Sequence, residues 1–204
     1  MRRVIAYVDG FNLYHAIAEL KRPHLKWLDL TALAKSLRGP NEILVGVCYF
    51  SAYATWLPQE VLRHREYVAA LRHTGVVTYM GHFKEKHRSC RACDAQWVGH
   101  EEKESDVAMA TQLVADAFRN KFERALIITA DSDIAPALRV IKAEFPEKAL
   151  DVIAPPKRFG HARSLSPKLE ITPGRLAKCL LPETAQSPNG RDLFRRPASY
   201  RPTM

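Results

Sequence analysis

The stretch Val4-Ile5-Ala6-Tyr7-Val8-Asp9-Gly10-Phe11-Asn12 joins a short apolar run to a polar turn. The run Val4–Val8 predicts a buried β-strand, Gly10 permits a tight turn, and a helical pattern follows from Asn12 to Leu20. Four later apolar runs also alternate with amphipathic segments. These runs are Ile43–Phe50, Val76–Met80, Ala125–Thr129 and Leu150–Ala154. The alternation predicts an α/β fold with a mainly parallel sheet and helices on both faces.

Four further segments show helical periodicity. They are Leu30–Leu37, Pro58–His73, Ser105–Phe118 and Ile134–Glu144. Ser105 is predicted to be an N-cap, and Pro136 lies in a first turn, where the missing N–H is tolerated. Because ligands of α/β folds bind at the carboxyl ends of strands, the residues directly after each strand are the candidates for function.

The composition limits the class of protein. The formal net charge of +9 favours polyanionic partners, of which nucleic acid is the common one. No apolar stretch approaches about 20 residues, so no membrane-spanning helix is expected. The first apolar run is too short for the core of a secretion signal, and we expect a cytoplasmic location. The four cysteines do not form the pattern of a secreted disulfide framework.

Four aspartates follow predicted strands or begin a predicted helix. Asp9 follows the first strand, Asp131 and Asp133 follow Ala125–Thr129, and Asp106 lies in the first turn of a helix. Because parallel strands end at one edge of a sheet, we expect these carboxylates to lie together. Mg²⁺ and Mn²⁺ prefer oxygen ligands and would offset the repulsion between the carboxylates. The alternative for each single aspartate is a helix cap or a turn former.

Three segments, in this order, resemble the motifs of NYN domains, the PIN-like group that includes the LabA/DUF88 proteins. Val8-Asp9-Gly10-Phe11-Asn12 resembles the VDG-x-N opening of that family. Glu102-Lys103-Glu104-Ser105-Asp106-Val107 resembles its E-K-G-V-D-V segment. Thr129-Ala130-Asp131-Ser132-Asp133-Ile134-Ala135-Pro136 resembles its S-G-D-x-D-F-x-P segment. The chain departs from the pattern at Glu104-Ser105, which replace Gly-Val, and at Ile134, which replaces Phe.

The resemblance implies a PIN-like (Rossmannoid) fold and metal-dependent ribonuclease activity. The implied Mg²⁺ or Mn²⁺ ligands and catalytic residues are Asp9, Asp106, Asp131 and Asp133, with Asn12 supporting them. Thr129 and Ser132 would hydrogen-bond within the site. Lys103 and Arg158 are predicted to contact the substrate phosphates, with a solvated surface lysine as the alternative at Lys103.

Residues 83–101 interrupt the alternation and predict an inserted hairpin or knuckle. Cys90 and Cys93 have the C-x-x-C spacing of half a zinc site, and His87 is predicted as a third ligand, with His82 and His100 as further candidates. The alternative is a flexible basic loop with two free thiols.

The predicted domain covers residues 1–182, and the Pro-, Arg- and Ser-rich residues 183–204 predict a disordered basic tail. Basic residues interleaved with aromatic ones favour single-stranded or looped RNA as the partner. The interleaved aromatic residues are Phe83, Trp97, Phe159 and Tyr200. Trp27, Tyr53 and Trp56 are interpreted as packing residues instead.

The sequence therefore predicts a metal-dependent RNA endonuclease. The alternative is a catalytically weak RNA-binding or scaffold protein that retains the PIN-like fold. A phosphatase of the aspartyl-phosphate type is disfavoured, because its D-x-D pair would follow the first strand, where Asp9 stands alone. The helix Ser105–Phe118 could serve a dimer, but no pattern in the sequence predicts an oligomer.

Overall fold

The computed structural model describes residues 1–186 and 192–202. Its strands are β1 (Arg2–Asp9), β2 (Glu42–Ala52), β3 (Val77–Ser89), β4 (Gln96–Lys103), β5 (Arg124–Ile128), β6 (Ala149–Ala154), β7 (Leu169–Glu170), β8 (Thr184–Gln186) and β9 (Asp192–Arg195). The first seven form one sheet in the order β4-β3-β2-β1-β5-β6-β7. Every neighbouring pair is parallel except β3 and β4. The predicted α/β class with a mainly parallel sheet is confirmed.

The helices connect these strands across both faces of the sheet. They are α1 (Gly10–Ala18), α2 (Leu30–Leu37), α3 (Pro58–His73), α4 (Ser105–Phe118), α5 (Ala135–Glu144) and α6 (Pro173–Ala177). Short 3-10 helices span Pro23–Lys26, Ser132–Ile134, His161–Leu165 and Ala198–Tyr200. Within the described part of the chain, no helix is long and apolar enough to cross a membrane.

Alternating residues of the central strand β1 divide the core between two layers. Val4 and Val8 face α1, α2 and α3, where they pack with residues such as Leu33. Ile5 and Tyr7 face α4 and α5 and pack with residues such as Leu113. Because side chains of a strand alternate between the two faces of the sheet, one apolar strand contributes to both cores.

The predicted insertion is a β-hairpin that extends the sheet. The first part of β3 pairs parallel with β2, up to Ala52 beside Gly81. The second part pairs antiparallel with β4, beginning with His82 beside Lys103. The hairpin base therefore lies at the carboxyl edge of the sheet, beside the end of β2.

The prediction of a disordered tail is wrong for the described residues after Pro182. β8 and β9 pair antiparallel, and the ring of Phe194 lies 6.0 Å from that of Trp27. Phe194 and Tyr200 are buried with Trp27 in a third apolar cluster. Phe194 and Tyr200 thus bury enough apolar area to dock this segment, although its overall composition is polar. Residues 187–191 and 203–204 of the predicted tail lie outside the described residues.

Candidate active site

The four predicted aspartates line one small pocket at the carboxyl edge of the sheet. The lining residues are Asp9, Asp106, Met109, Thr129, Asp131, Asp133 and Ile134. The pocket lies where β1 meets β5, and the chain order reverses there because β2 and β3 lie on one side of β1 and β5 and β6 on the other. Such a reversal opens a crevice beyond the strand ends, where α/β sheets bind ligands.

Asp9 is the most buried of the four, with 8% of the residue exposed. One carboxylate oxygen accepts from the backbone N–H of Asn12 at 3.0 Å, and the other accepts from the Thr129 hydroxyl at 2.8 Å. Burial raises the pKa of Asp9 to about 6, although these hydrogen bonds oppose the rise, and the charges of Asp106 and Asp131 add to it. Asp9 therefore both caps α1 and faces the pocket.

Gly10 directly follows Asp9 and is required by close packing. A Cβ there would lie 2.6 Å from the carbonyl oxygen of Phe50 and 2.7 Å from the ring of Tyr49. The sequence predicted a glycine for a tight turn, and the structure gives close approach to β2 as the reason.

Asp106 enters the pocket from the first turn of α4. Burial raises its pKa, and the nearby charges of Glu102, Asp131 and Asp133 raise it further. Glu102 was not predicted as a site residue, although it opens the motif that contains Asp106. Its carboxylate accepts from the backbone N–H of Ser105 at 3.0 Å and so holds the start of α4.

The start of α4 departs from the predicted N-cap. The cap is Glu104, in a left-handed conformation with φ of 80°, and Ser105 is the first helical residue. The Ser105 hydroxyl is buried and has no hydrogen-bond partner among the described residues. Glu104 occupies the position where the resembling motif has glycine, the residue that adopts positive φ without strain.

The loop after β5 is held by its own hydrogen bonds. The Asp131 carboxylate accepts from the backbone N–H of Asp133 at 3.0 Å, and the Thr129 hydroxyl accepts from the backbone N–H of Asp131 at 3.0 Å. The Asn12 side-chain oxygen accepts from the backbone N–H of Ala130 at 3.1 Å, which ties α1 to this loop. Asn12 therefore supports the aspartates through the backbone, and Thr129 holds Asp9.

The charges of the pocket suit a hard divalent cation. No Lys, Arg or His forms an ion pair with any of the four aspartates in the part of the chain that the structure describes. All donors at hand are carboxylate and hydroxyl oxygens, which Mg²⁺ and Mn²⁺ prefer. Within residues 1–186 and 192–202, however, no three His, Cys, Asp or Glu side chains already converge as a metal-binding group. The donor set fits the ion, and binding would require the carboxylates to move inward.

The other predicted substrate and zinc residues do not join this pocket. Arg158 pairs with Glu19, and Lys103 pairs with Glu101 at 2.9 Å, while Ser132 is exposed on the 3-10 helix. Each of these two cations is paired with a glutamate in this structure, and phosphate contact by Arg158 and Lys103 stays a prediction.

Cys90 and Cys93 lie together in the turn at the tip of the β3–β4 hairpin, where the Cys90 N–H bonds to the Ala95 carbonyl at 2.8 Å. His87 lies on β3 beside Val98 of β4 and does not join the cysteines as a third ligand. The predicted set of Cys90, Cys93 and His87 is therefore not assembled as a zinc site.

A second, larger cavity of about 620 Å³ adjoins the aspartates. Its aromatic wall includes Phe11, Tyr14, Trp56, Phe83 and Tyr200. Interpreting Trp27 as a packing residue is confirmed, since it is fully buried, whereas Trp56 is only half-buried and lines this cavity. A single aromatic residue in a loop after a strand belongs to no periodic pattern, so the sequence does not show whether it packs in the core or lines a cavity.

The family model of the NYN domain matches residues 3–159. This chain belongs to the NYN domain family. The match includes all four pocket aspartates and the hairpin, and it ends before the segment that carries Phe194 and Tyr200. One residue that lines the aromatic cavity, Tyr200, therefore lies beyond the family match.

One relative and one solved structure extend the comparison. This NYN domain is 28% identical to the 6-hydroxy-3-succinoylpyridine 3-monooxygenase HspA of Pseudomonas putida (strain DSM 28022 / S16) over 226 residues, covering 88% of this chain and 70% of that protein. It also matches the crystal structure of a protein of unknown function from Vibrio parahaemolyticus RIMD 2210633, with a TM-score of 0.56, 16% identity and coverage of 83% and 91% of the two chains. The second likeness concerns the fold alone.

Proposed function

We propose that this NYN domain is a metal-dependent RNA endonuclease. The observation that carries the proposal is the pocket in which aspartates from three separate segments meet without a cationic side chain among the described residues. Burial raises the pKa values of Asp9 and Asp106, and the charges of neighbouring carboxylates raise them further. A bound cation would offset the charge that the four carboxylates bring together. Such a site suits phosphodiester hydrolysis.

Each residue has a role in this proposal. Asp9 and Asp106 provide oxygen ligands from the sheet edge and from α4, and Asp131 and Asp133 provide them from the loop after β5. Thr129 holds the Asp9 carboxylate in orientation. When bound, a divalent cation supplies counter-charge for the phosphate oxygens and lowers the pKa of a coordinated water. The net charge of +9 and exposed side chains such as Lys84 and Arg88 on the hairpin attract the RNA backbone.

The test is cleavage of a labelled single-stranded RNA with Mg²⁺, with Mn²⁺ and with a chelator. Asp9→Asn and Asp133→Asn each remove one charge from the pocket with little change of shape. The matched control is Asp94→Asn at the exposed hairpin tip, where φ is 51° and asparagine is tolerated. We expect metal-dependent cleavage that falls at least about 100-fold in both pocket variants and is unchanged in the control.

Other outcomes reject the proposal. Equal cleavage by wild type and both pocket variants would identify a contaminating nuclease. RNA binding without cleavage by the wild type, under every metal condition, would support the catalytically weak RNA-binding or scaffold protein instead.

A second candidate function is oxygenation of a hydroxypyridine-type ring, as named for the Pseudomonas putida relative. The observation that favours it is the cavity of about 620 Å³ with aromatic walls, a size and lining typical of small-molecule sites. The test is conversion of 6-hydroxy-3-succinoylpyridine in air with a reduced nicotinamide and added flavin. Absence of product and of reductant consumption above the background without protein would reject it.

A further inference from the structure

The residues that line the aromatic cavity and the aspartate pocket are neighbours in the sequence. Asp9 lines the pocket, and the next two residues, Gly10 and Phe11, line the cavity. Glu102 also lines the cavity, and its charge acts on Asp106 in the pocket. Among the described residues, the cavity and the pocket share no lining residue, and they are linked at the carboxyl edge of the sheet through Asp9–Gly10 and through the charge of Glu102 on Asp106.

The cavity wall at the hairpin is built of flat rings. Trp56 stacks on His100 with ring centroids 3.6 Å apart and planes 10° apart, and Phe83 meets the Trp56 ring edge-on at 4.6 Å. Phe83 also meets Phe11 edge-on at 5.5 Å. Trp56 and Phe83 both remain half-buried, so part of this ring surface stays open to a ligand. Flat rings of this kind stack on planar heterocycles without regard to their identity.

The cavity lining also includes polar groups suited to a heterocycle. His64 shares a hydrogen bond of 3.1 Å with the Tyr49 hydroxyl, and burial lowers the pKa of His64 to about 4. A neutral imidazole can donate to or accept from a ring nitrogen or carbonyl. Ser51 also lines the cavity, where its side chain hydrogen-bonds with Tyr49.

Of the described Lys and Arg side chains that line the cavity, Lys26 is the one that could bind a phosphate, because Arg63 is already paired with a carboxylate. The Lys26 ammonium donates to the Tyr14 hydroxyl at 3.2 Å and forms no ion pair within the described ranges. Arg63 is paired with Glu60 at 2.8 Å, and Glu101 is paired with Lys103 at 2.9 Å. The remaining carboxylate, Glu102, lies on the side of the aspartates.

We propose that this cavity receives one unpaired nucleobase of the RNA, stacked on the Trp56–Phe83 wall, and thereby selects the phosphodiester that reaches the aspartates. The inference deepens the proposed nuclease function and rests on it for its biological meaning. A base stacked on an aromatic side chain contributes about 1–3 kcal/mol, and only an unpaired base presents both faces for this contact. A free heteroaromatic molecule would use the same rings, and the test separates the two sources.

The test measures binding without any cleavage step. Titrations in chelator compare adenosine 5′-monophosphate with ribose 5-phosphate, which differ only in the base, and nicotinate serves as a free heteroaromatic acid. We expect wild type to bind the nucleotide about 5- to 150-fold more tightly than ribose 5-phosphate, the range that corresponds to one stacked base. Trp56→Ala should lose this difference, and Trp56→Phe should retain most of it. The matched control is Trp97→Ala, an exposed tryptophan outside the cavity lining.

Each outcome has a distinct meaning. Equal affinities for the nucleotide and ribose 5-phosphate in wild type, or the same loss in Trp56→Ala and Trp97→Ala, would overturn the inference. Tight nicotinate binding without preference for the nucleotide would overturn it in favour of a small-molecule site. A preference for the nucleotide in a protein that cleaves no RNA would reject the nuclease function and support the base site. Metal-dependent cleavage without that preference would support the nuclease function and reject the base site.

Discussion

At the scale of single residues, the buried carboxylate of Asp9 lowers the stability of the metal-free fold at the position of the proposed metal site. Its carboxylate is buried, and burial raises the pKa of Asp9 to about 6, with a further contribution from the charges of two other aspartates. The folded protein therefore binds a proton at Asp9 more tightly than the unfolded chain does. Relative to a neutral side chain, Asp9 destabilises the metal-free fold increasingly as the pH rises from about 4 to about 6, and uniformly above that.

Asp9→Asn is therefore expected to stabilise the metal-free protein at neutral pH. The carboxamide can still accept from the Asn12 N–H and contact the Thr129 hydroxyl. The rise in the pKa of Asp9 corresponds to at most about 3 kcal/mol of stability, which is a rise in Tm of several degrees for a domain of this length. Thermal unfolding in chelator at pH 4 and pH 7 checks it, with the gain expected at pH 7 and not at pH 4.

The same measurement with Mg²⁺ or Mn²⁺ supplies the control for Asp9. A ligand that binds only the folded state raises Tm, so the metal should stabilise wild type and have less effect on Asp9→Asn. If Asp9→Asn instead lowers Tm at pH 7 in chelator, the two hydrogen bonds of the carboxylate outweigh its burial.

Glu104 gives a second prediction at this scale. Its φ of 80° lies in the left-handed region that disfavours side chains, and its contact with His82 is exposed. Glu104→Gly should raise the free energy of unfolding by about 1 kcal/mol, measured by urea denaturation. Glu104→Ala removes the same carboxylate without relieving the backbone, so an equal gain in that variant would contradict the explanation.

At the scale of elements, the hairpin base positions one side of the site. Gly81 ends the parallel part of β3, and a Cβ there would overlap the Lys103 carbonyl and lie 3.2 Å from the Glu102 carboxylate. The close approach brings the end of β4 and the start of α4 to the sheet edge. The position of Asp106 in α4 therefore depends on a glycine in β3.

Gly81→Ala should separate these elements. We expect a loss of about 1–3 kcal/mol in the free energy of unfolding, as for other over-packed sites, together with weaker RNA cleavage. Gly174→Ala in α6 is the matched control, because a Cβ there meets nothing within 4 Å and alanine favours a helix. Unchanged stability in Gly81→Ala would show that the hairpin can move away at little cost.

At the scale of the whole molecule, the segment after Pro182 contributes Tyr200 to the lining of the aromatic cavity. The Trp27 indole donates to the Pro182 carbonyl at 2.8 Å, and Arg196 donates to the His24 carbonyl at 3.1 Å. Tyr200 then reaches the cavity beside Lys26. Docking of this segment therefore affects the size of the cavity without contacting the aspartates.

Phe194→Ala should release the segment while the NYN domain stays folded. Loss of a buried phenylalanine costs about 3–5 kcal/mol, and a short terminal segment can respond by local undocking instead of global unfolding. Limited trypsin proteolysis should cleave the Arg195–Arg196 bond faster than in wild type, with a similar Tm, whereas the bonds after Arg196 and Arg201 precede proline and resist trypsin. Leu193→Ala is the control, since Leu193 is exposed, and equal protection of both variants would contradict the docking role of Phe194.

The sequence by itself determined the family and most elements of residues 1–154, but not β7, α6, β8 or β9. The helices α2, α3 and α4 begin and end at the predicted residues, because their apolar periodicity and first-turn residues are local properties. The aspartates were located for the same reason, since each directly follows a strand or begins a helix. Whether they bind metal stays a prediction.

Only the tertiary structure decided which side chains meet. Arg158 pairs with Glu19, which is 139 residues away, and Trp56 stacks on His100 in the wall of the cavity. No local pattern encodes either contact. The same holds for Phe194, whose burial depends on Trp27. Secondary structure follows from neighbours in sequence, whereas partners in charge and packing follow from how the sheet and helices bring distant residues together.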